Sequence, residues 1–220
     1  MPGRTIAIGD IHGCSLALDP LLNSIKPRPD DTIVTLGDYI DRGPDSKGVL
    51  DRLIDLAQRC RLVPILGNHD EMLLGLRTGR PPTSWLIGMG GSATLDSYGP
   101  GQDLDLIPEE HYEFLAGCHA FFETDTHIFV HACYAPDIPM AKQDGLTLRW
   151  ESLRETKPGP HESGKTVIVG HTSQKDGEIL DLGHLKCIDT YCHGGGWLTA
   201  LEARTREVWQ VDRDGNSRRC

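Results

Sequence analysis

This sequence lacks several features that would mark a disulfide scaffold, a membrane protein or a basic binding protein. No C-x-x-C pair occurs among its seven cysteines, which argues against a zinc-thiolate site and a disulfide framework. No apolar run approaches the roughly 20 residues that span a bilayer, and residues 1–4 run into a strand-like segment without a leader, so a cytoplasmic protein is expected. Basic residues are few, 22 against 32 acidic ones, for a net charge of -10, which argues against passive binding of nucleic acid.

The composition is that of a folded globular chain. Hydrophobic residues make up 38% and charged residues 25% of the 220 residues, so a core can form without disulfides or a structural metal. The length suits one domain, and no internal repeat or low-complexity tract divides the chain. We therefore expect a single domain over residues 1–220.

Strand-like and helix-like segments alternate in the first third of the chain. The apolar patterns lie at 5–8, 15–25, 32–36, 46–57 and 62–66. Ser46 is the predicted N-cap of the second helix. A β-α-β-α-β order with this spacing predicts a parallel sheet with right-handed crossovers. In such sheets, functional residues gather at the carboxyl ends of the strands.

The remainder of the chain is less regular. Helices are predicted at 108–116 and 146–154, and the proline pair at 81–82 predicts a break. From Phe121 onward, short apolar runs separated by turns predict an antiparallel or mixed second sheet. The polar tail at 213–220 is expected to fray. Together with the first third, this pattern predicts an α/β fold.

Two glycine-rich strings match nucleotide-binding motifs in their letters only. Residues 159–166 (GPHESGKT) spell a P-loop, but that loop needs a strand before it and a helix after it, and neither is predicted here. Residues 88–93 (GMGGSA) resemble a dinucleotide fingerprint but lie outside any β-α-β unit. We interpret the first string as a turn that leads into a strand and the second as a tight helix entry.

Polar residues that can bind metals follow five apolar strands. They lie in GDIHG at 9–13, GDYIDRG at 37–43, GNHD at 67–70, VHA at 130–132 and VGHT at 169–172. Each alone is an ordinary turn, helix cap or surface residue. Carboxylates and imidazoles brought together without cations would suffer desolvation and repulsion, which divalent metals would offset. Oxygen and imidazole donors without thiolate favour Mn²⁺, with Fe or Zn²⁺ as alternatives, over a structural zinc.

Taken in order, these strings resemble the calcineurin-like metallophosphoesterase superfamily, and within it small bacterial and phage members of the phosphoprotein phosphatase family. Segments at 90–99, 188–190 and 195–199 agree with this resemblance. The GHTS string at 170–173 lacks the second histidine of the superfamily's G-H-x-H ending, which is the phosphoprotein phosphatase form. The resemblance implies a four-layer αββα sandwich of two mixed sheets, the metallophosphoesterase fold, with two divalent metal ions at the strand ends.

The resemblance also implies a role for each residue of the strings. The metal ligands that it implies are Asp10 and His12 for the first metal, Asp38 as a bridge, and Asn68, His131 and His171 for the second. His69 would be the general acid toward the leaving group, with Asp41 orienting and charging it. Arg42 would bind the phosphate oxygens. A hydroxide that bridges the two metals would attack phosphorus in line.

A second phosphate-binding arginine usually follows a tryptophan in the resembled family. Here Arg149 and Arg154 both lie near Trp150, and the sequence does not decide between them. Either could equally be a solvated helix residue. The implied substrate-binding residues are therefore Arg42 and Asn68, with Arg154 as the further candidate.

Other polar residues near the strings are expected to have ordinary structural roles. Asp70 and Glu71 are expected to stabilise the start of the helix that contains His69. Six histidines lie outside the strings and have no motif support, and His193 is one of them. We expect these six to be surface or packing residues.

The predicted function is a metal-dependent phosphomonoesterase, specifically a serine/threonine protein phosphatase that acts on a phosphorylated protein or a small phosphoester. Asp41 favours this choice, because the small diadenosine tetraphosphatase relatives usually have alanine there. One alternative is a symmetrical dinucleoside tetraphosphate hydrolase, and another is a catalytically silent phosphoprotein-binding module. Neither nucleic acid nor a membrane is an expected partner, and the sequence does not indicate an oligomeric state.

Overall fold

A computed structural model describes residues 3–77 and 82–218 of the chain. These residues form eleven strands and six α-helices. The first six elements are β1 (Thr5–Ile8), α1 (Ser15–Ile25), β2 (Thr32–Thr35), α2 (Ser46–Ala57), β3 (Arg61–Pro64) and α3 (Asn68–Gly75). The predicted β-α-β-α-β order is confirmed, and β2 pairs in parallel with both β1 and β3.

The rest of the described chain supplies three α-helices and eight strands. The helices are α4 (Gly91–Tyr98), α5 (Glu109–Ala116) and α6 (Gly145–Trp150). The strands are β4 (Phe121–Glu123), β5 (His127–Val130), β6 (Thr166–Val169), β7 (Leu180–Asp181), β8 (Leu185–Cys187), β9 (Asp189–Thr190), β10 (Trp197–Glu202) and β11 (Val208–Asp212). Short strands follow Phe121, as the apolar runs predict, but β9, β10 and β11 join the sheet of β1 and not a second sheet.

The strands form two mixed sheets. The first has the order β11-β10-β1-β2-β3, with β9 paired to β10, and the second has the order β4-β5-β6-β8-β7. In the first sheet β10 runs antiparallel to β1, and in the second β5, β6 and β8 run parallel to one another. The second sheet therefore has a parallel centre and two antiparallel edges, whereas the first is parallel from β1 to the edge strand β3 and antiparallel on the side of β10 and β11.

Alternating side chains of β1 show how the layers stack. Ile6 and Ile8 belong to a buried cluster with residues of α1, α2 and α5, whereas Ala7 belongs to a cluster that joins it to Phe129 and Ile168 of the second sheet. Successive residues of a strand point to opposite faces, so one face of the first sheet meets helices and the other meets the second sheet. Leu148 of α6 covers the outer face of the second sheet. The predicted α/β sandwich of two mixed sheets is confirmed.

The predicted cap of α2 is wrong. The Asp45 carboxylate accepts a hydrogen bond from Gly48 N at 2.9 Å, so Asp45 is the N-cap and Ser46 is the first helical residue. The Ser46 hydroxyl instead accepts from Asp41 N at 3.1 Å and lies 3.0 Å from Thr94 Oγ1. The Ser46 side chain thus bonds to the loop that follows β2 and is not available to cap the helix.

The two glycine-rich strings behave as interpreted. Residues 159–166 lead directly into β6, and Gly90 has a φ of 86° immediately before α4. The tail does not fray as expected up to residue 218, because Arg218 N donates to Gln210 O at 2.8 Å. Residues 219–220 and Pro81 of the predicted break lie outside the described residues. Among the described residues no helix has the length and apolar character needed to cross a bilayer.

Candidate active site

The predicted metal ligands meet where the carboxyl ends of the two sheets adjoin. Asp10 and Asp38 follow β1 and β2, Asn68 opens α3 after β3, and His131 and His171 follow β5 and β6. Contacts between the sheets bring together residues that are far apart in sequence. His131 Nε2 lies 3.1 Å from Asn68 Oδ1, and His171 N donates to Asp10 Oδ2 at 3.0 Å.

Asp38 stands between two imidazoles. Its Oδ2 lies 3.4 Å from His12 Nε2, and its Oδ1 lies 3.4 Å from His131 Nε2. Backbone carbonyls fix both rings, because His12 Nδ1 donates to Ile40 O at 2.8 Å and His131 Nδ1 donates to Leu36 O at 2.7 Å. Each ring therefore turns Nε2 toward the carboxylate. Asp38 thus belongs to two groups of possible metal-binding side chains, one with His12 and His69 and the other with His131 and His171, and Asp10 is in neither group. This placement between two groups fits the predicted role of Asp38.

The donor group on the His131 side consists of atoms that all accept hydrogen bonds. His171 Nε2 donates to Trp150 O at 3.2 Å, which leaves His171 Nδ1 as an acceptor 3.0 Å from Asn68 Oδ1. Burial and the neighbouring His131 lower the pKa of His171 to about 4, so its ring is neutral at neutral pH. Asn68 Oδ1 and two imidazole nitrogens consequently face one another. A divalent cation would turn this repulsion into coordination, so these residues fit a metal.

Buried carboxylates give this edge strong negative charge. Asp10 is 3% exposed, and Asp38 and Asp189 are each 2% exposed. Burial, together with the carboxylates of Asp189 and Asp38, raises the pKa of Asp10 well above its usual value. Burial also raises the pKa of Asp189, even though Ser173 Oγ donates to it at 2.7 Å. Carboxylates crowded in this way are stabilised by nearby cations, which agrees with a site for divalent metals.

His69 and Asp41 form a buried pair beside the predicted ligands. His69 Nδ1 donates to Asp41 Oδ2 at 2.7 Å, and the two side chains are 1% and 0% exposed. Trp85 Nε1 and Thr94 Oγ1 donate to the same carboxylate at 3.0 and 2.6 Å. Although burial lowers it, the carboxylates of Asp38 and Asp41 raise the pKa of His69 above its usual value. A ring with a raised pKa takes up a proton more readily than an unpaired histidine, which suits a proton donor.

Arg42 lies over the opening of the site. Its Nη1 donates to His12 Nε2 at 3.2 Å, and its Nη2 donates to His69 Nε2 at 3.0 Å. A guanidinium is always charged and only donates, so both Nε2 atoms accept in this arrangement. The guanidinium of Arg42 therefore lies between the predicted ligand His12 and the predicted acid His69.

His193 lies beside Arg42 and His12, a location that the sequence analysis did not predict for it. Its Nε2 is 3.4 Å from Arg42 Nη1, and its ring centroid is 4.7 Å from that of His12 and 4.9 Å from that of Tyr191. Burial and the Arg42 charge lower the pKa of His193 to about 4. The signal that could have found it is its place beside the glycine run at 194–196, which allows a tight loop to approach the strand ends.

The two arginines that the sequence left open have different surroundings. Arg149 Nη2 forms an ion pair with Glu71 at 2.6 Å, and Trp150 Nε1 donates to the same carboxylate at 2.8 Å. Glu71 therefore ties α3 to α6 in addition to lying in the first turn of α3. Arg154 Nη2 donates to Ser173 O at 2.8 Å, close in sequence to a predicted metal ligand, and remains the candidate for substrate binding.

Asp70 fixes the loop that carries Asp38. Its carboxylate accepts from Gly67 N at 3.1 Å at the start of α3, and also from Asp38 N at 2.8 Å and Tyr39 N at 3.1 Å. Burial and the Asp38 carboxylate raise the pKa of Asp70 to about 8. Asp70 therefore has its expected role at the start of α3, and it also orients the loop after β2.

Backbone strain concentrates at the site. Left-handed φ values occur at His12 (45°), Asp38 (50°), Asp41 (70°), Arg42 (70°) and His171 (61°). Each such non-glycine conformation costs on the order of 1–3 kcal/mol and persists only where the surroundings enforce it. Gly37, with a φ of 100°, admits the close approach of the next strand end, since an added Cβ would lie 2.6 Å from Gly67 N.

Two curated relatives illustrate the sequence similarity. The chain is 36% identical over 152 residues to the symmetrical bis(5'-nucleosyl)-tetraphosphatase of Janthinobacterium sp. (strain Marseille), covering 68% of this chain and 50% of the relative. It therefore spans about half the length of that relative. It is 29% identical over 199 residues to serine/threonine-protein phosphatase 1 of Salmonella typhimurium (strain LT2), covering 87% of this chain and 88% of the relative.

Solved structures share the fold. A crystal structure of a proposed diadenosine tetraphosphatase has a TM-score of 0.73 and 24% identity, covering 96% of this chain and 94% of that one. A cold-active protein-tyrosine phosphatase of a Shewanella species has a TM-score of 0.68 and 18% identity, covering 99% of this chain and 80% of that one. At these identities the likeness concerns architecture and not substrate.

The family model for calcineurin-like phosphoesterases matches residues 3–175. This range contains β1 to β6 and every residue that the strings supplied as a predicted metal ligand or catalytic group. The matched range thus includes the edge of the molecule where the predicted site residues meet. The chain belongs to the calcineurin-like phosphoesterase family, whose members are metal-dependent hydrolases of phosphoester bonds.

Proposed function

We propose that this phosphoesterase cleaves its substrate with His69 as the general acid and Arg42 as the phosphate-binding group. The observation that carries the proposal is the buried pair of His69 Nδ1 and Asp41 Oδ2, 2.7 Å apart, beside the edge where the predicted ligands gather. Asp41 fixes the proton on Nδ1 and stabilises the imidazolium, so the other nitrogen can deliver a proton to a leaving oxygen.

The predicted ligands are Asp10, His12, Asp38, Asn68, His131 and His171. When bound there, a pair of divalent cations would supply the positive charge that lowers the pKa of an attacking water and offsets the charge of the phosphate. We propose Mn²⁺, since the donors are oxygens and imidazoles without thiolate, with Fe or Zn²⁺ as alternatives. The free thiols of the six described cysteines agree with the cytoplasmic setting that we also propose.

Arg42 and His69 must exchange partners during the reaction. Arg42 Nη2 now donates to His69 Nε2 at 3.0 Å, so that nitrogen carries no proton in this arrangement. Phosphate oxygens that bind the guanidinium would draw it away from the ring. His69 Nε2 can then take up a proton and face the leaving oxygen. Substrate binding therefore couples the position of Arg42 to the protonation of His69.

For the substrate, sequence similarity favours symmetrical dinucleoside tetraphosphates, which the sequence analysis placed second. The tetraphosphatase relative is 36% identical, against 29% for the protein phosphatase. A dinucleoside tetraphosphate is therefore our first candidate substrate. Cleavage that yields two nucleoside diphosphates would match the symmetrical reaction.

A phosphorylated serine or threonine is the second candidate, and one specific observation favours it. A nucleoside diphosphate leaves readily, whereas an alkoxide requires a proton, so the buried pair of His69 and Asp41 suits an alkyl phosphate. The alignment with the Salmonella phosphatase also covers 88% of that protein. Both facts support the prediction made from the sequence.

One substrate panel tests these proposals on the Mn²⁺-loaded full chain. It contains P1,P4-di(adenosine-5') tetraphosphate, a phosphoserine peptide and p-nitrophenyl phosphate, and products are separated by anion-exchange chromatography. A higher kcat/KM for the dinucleotide, with ADP as the nucleotide product, supports the first candidate, and preference for the peptide supports the second. Absence of hydrolysis of all three under Mn²⁺, Fe²⁺ and Zn²⁺ would contradict catalysis and support the silent binding module.

A further inference from the structure

An open cavity begins beside the last predicted ligand. Its volume is about 700 Å³, within the usual range for small-molecule sites. Its lining includes Arg154, Lys157, Thr172, Ser173, Lys175 and Asp176. Thr172 comes directly after His171, so the wall of the cavity continues the loop that carries this ligand into the site.

The charge of this cavity is opposite to that of the chain. Three cations, Arg154, Lys157 and Lys175, and one anion, Asp176, line it, whereas the chain has a net charge of -10. Within residues 3–77 and 82–218, none of the three cations has a carboxylate within ion-pair distance. Cations that gather without carboxylate partners in an acidic protein favour an anionic ligand.

Side-chain contacts connect the cavity to the catalytic edge. Lys175 Nζ lies 5.8 Å from the centroid of the Tyr191 ring, and Tyr191 packs against His193 with centroids 4.9 Å apart. His193 Nε2 is in turn 3.4 Å from Arg42 Nη1. Uncharged Tyr191 and His193 therefore separate two cations, Arg42 at the catalytic edge and Lys175 at the cavity, and a linear anion that bound both would have to span these side chains.

We propose that this cavity binds the part of an oligophosphate that lies beyond the phosphorus under attack. The proposal rests on the proposed function, since it assigns the phosphate chain of a dinucleoside tetraphosphate to Arg154, Lys157 and Lys175. A phosphate chain carries several charges over a short length, which matches cations clustered in one cavity. The site would distinguish oligophosphates from simple monoesters, which end at Arg42.

Kinetics of a charge-removal variant test the site. In the Lys157→Gln/Lys175→Gln variant, the ratio of KM for the dinucleoside tetraphosphate to KM for p-nitrophenyl phosphate should rise roughly tenfold. The Lys26→Gln/Lys142→Gln variant removes the same charge from exposed positions that do not line the cavity, and it should keep the wild-type ratio. An equal ratio in all three proteins would overturn the proposal, and so would a shift confined to an acidic phosphopeptide.

A direct binding measurement tests the cavity independently of the proposed enzymatic function. Inorganic tripolyphosphate is titrated calorimetrically into the wild type and both double variants, without any requirement for turnover. Roughly tenfold weaker binding to the Lys157→Gln/Lys175→Gln variant, but not to the control, supports the cavity even if the dinucleotide is not hydrolysed. Equal affinity in the three proteins refutes the cavity even if the dinucleotide proves to be the substrate.

Discussion

The charge of Asp41 can be removed with little change in shape. In an Asp41→Asn variant, the amide oxygen can accept from His69 Nδ1 and Trp85 Nε1, which now share Oδ2. The new amide group would then face Thr94 Oγ1, a hydroxyl that can accept a hydrogen bond. The substitution therefore keeps the ring orientation of His69 and removes the negative charge that stabilises its imidazolium.

The size of the effect follows from that lost charge. A hydrogen bond to a charged group contributes about 1.5–3 kcal/mol, and each 1.36 kcal/mol is a factor of ten in rate. We expect kcat to fall roughly 10- to 100-fold for alkyl phosphates, and much less for p-nitrophenyl phosphate, whose leaving group hardly needs a proton. Because Asp41 helps to raise the pKa of His69, the alkaline limb of kcat should move to lower pH in the variant.

The assay compares kcat for both substrates across pH, with metal content measured on the same preparations. The His69→Asn variant serves as the reference, and it should retain metals while losing about 10²–10⁴-fold in kcat on alkyl phosphates. A loss in Asp41→Asn that is equal for good and poor leaving groups would refute the reasoning. An unchanged pH profile would refute it as well.

Further predictions concern metal binding and stability. Asp38→Asn should remove metal binding and nearly all activity, as read by elemental analysis and turnover. Asp31, fully buried, accepts hydrogen bonds from Arg4 and Arg28, which lower its pKa, so Asp31→Asn should lower the free energy of unfolding by about 1–3 kcal/mol at pH 7. That deficit should shrink below about pH 4, since an aspartate with a depressed pKa loses its contribution there; urea melts at both pH values test this. Gly37→Ala should destabilise by at least about 1 kcal/mol, whereas Gly75→Ala, with open space at its Cβ, should not.

The location of the site could be predicted from the sequence because each strand end has a short pattern that can be recognised without knowing the rest of the fold. Apolar runs that end in glycine and a polar residue place Asp10, Asp38 and Asn68 after neighbouring parallel strands. The same pattern places His131 and His171 after β5 and β6, which are also parallel neighbours. What each residue binds stays a prediction, whereas their meeting at one edge is observed.

The features that the sequence could not supply depend on contacts between distant segments. His193 reaches Arg42 only because the loop after β9 folds over the strand ends. Ser46 is drawn away from its helix by Asp41 N and Thr94, a competition that the local cap pattern does not contain. The cluster of left-handed residues likewise has no sequence signal, because non-glycine residues adopt that conformation only under tertiary constraint.

The central claim is that Asp38 joins two donor groups that hold two cations. The most direct measurement is the Mn²⁺ stoichiometry of the reconstituted full chain, taken from elemental analysis and from the electron paramagnetic resonance spectrum. The account predicts two ions per chain and the multiline signal of an exchange-coupled pair, both lost in Asp38→Asn. A single uncoupled ion in the wild type, or a pair that survives the loss of the Asp38 carboxylate, would contradict it.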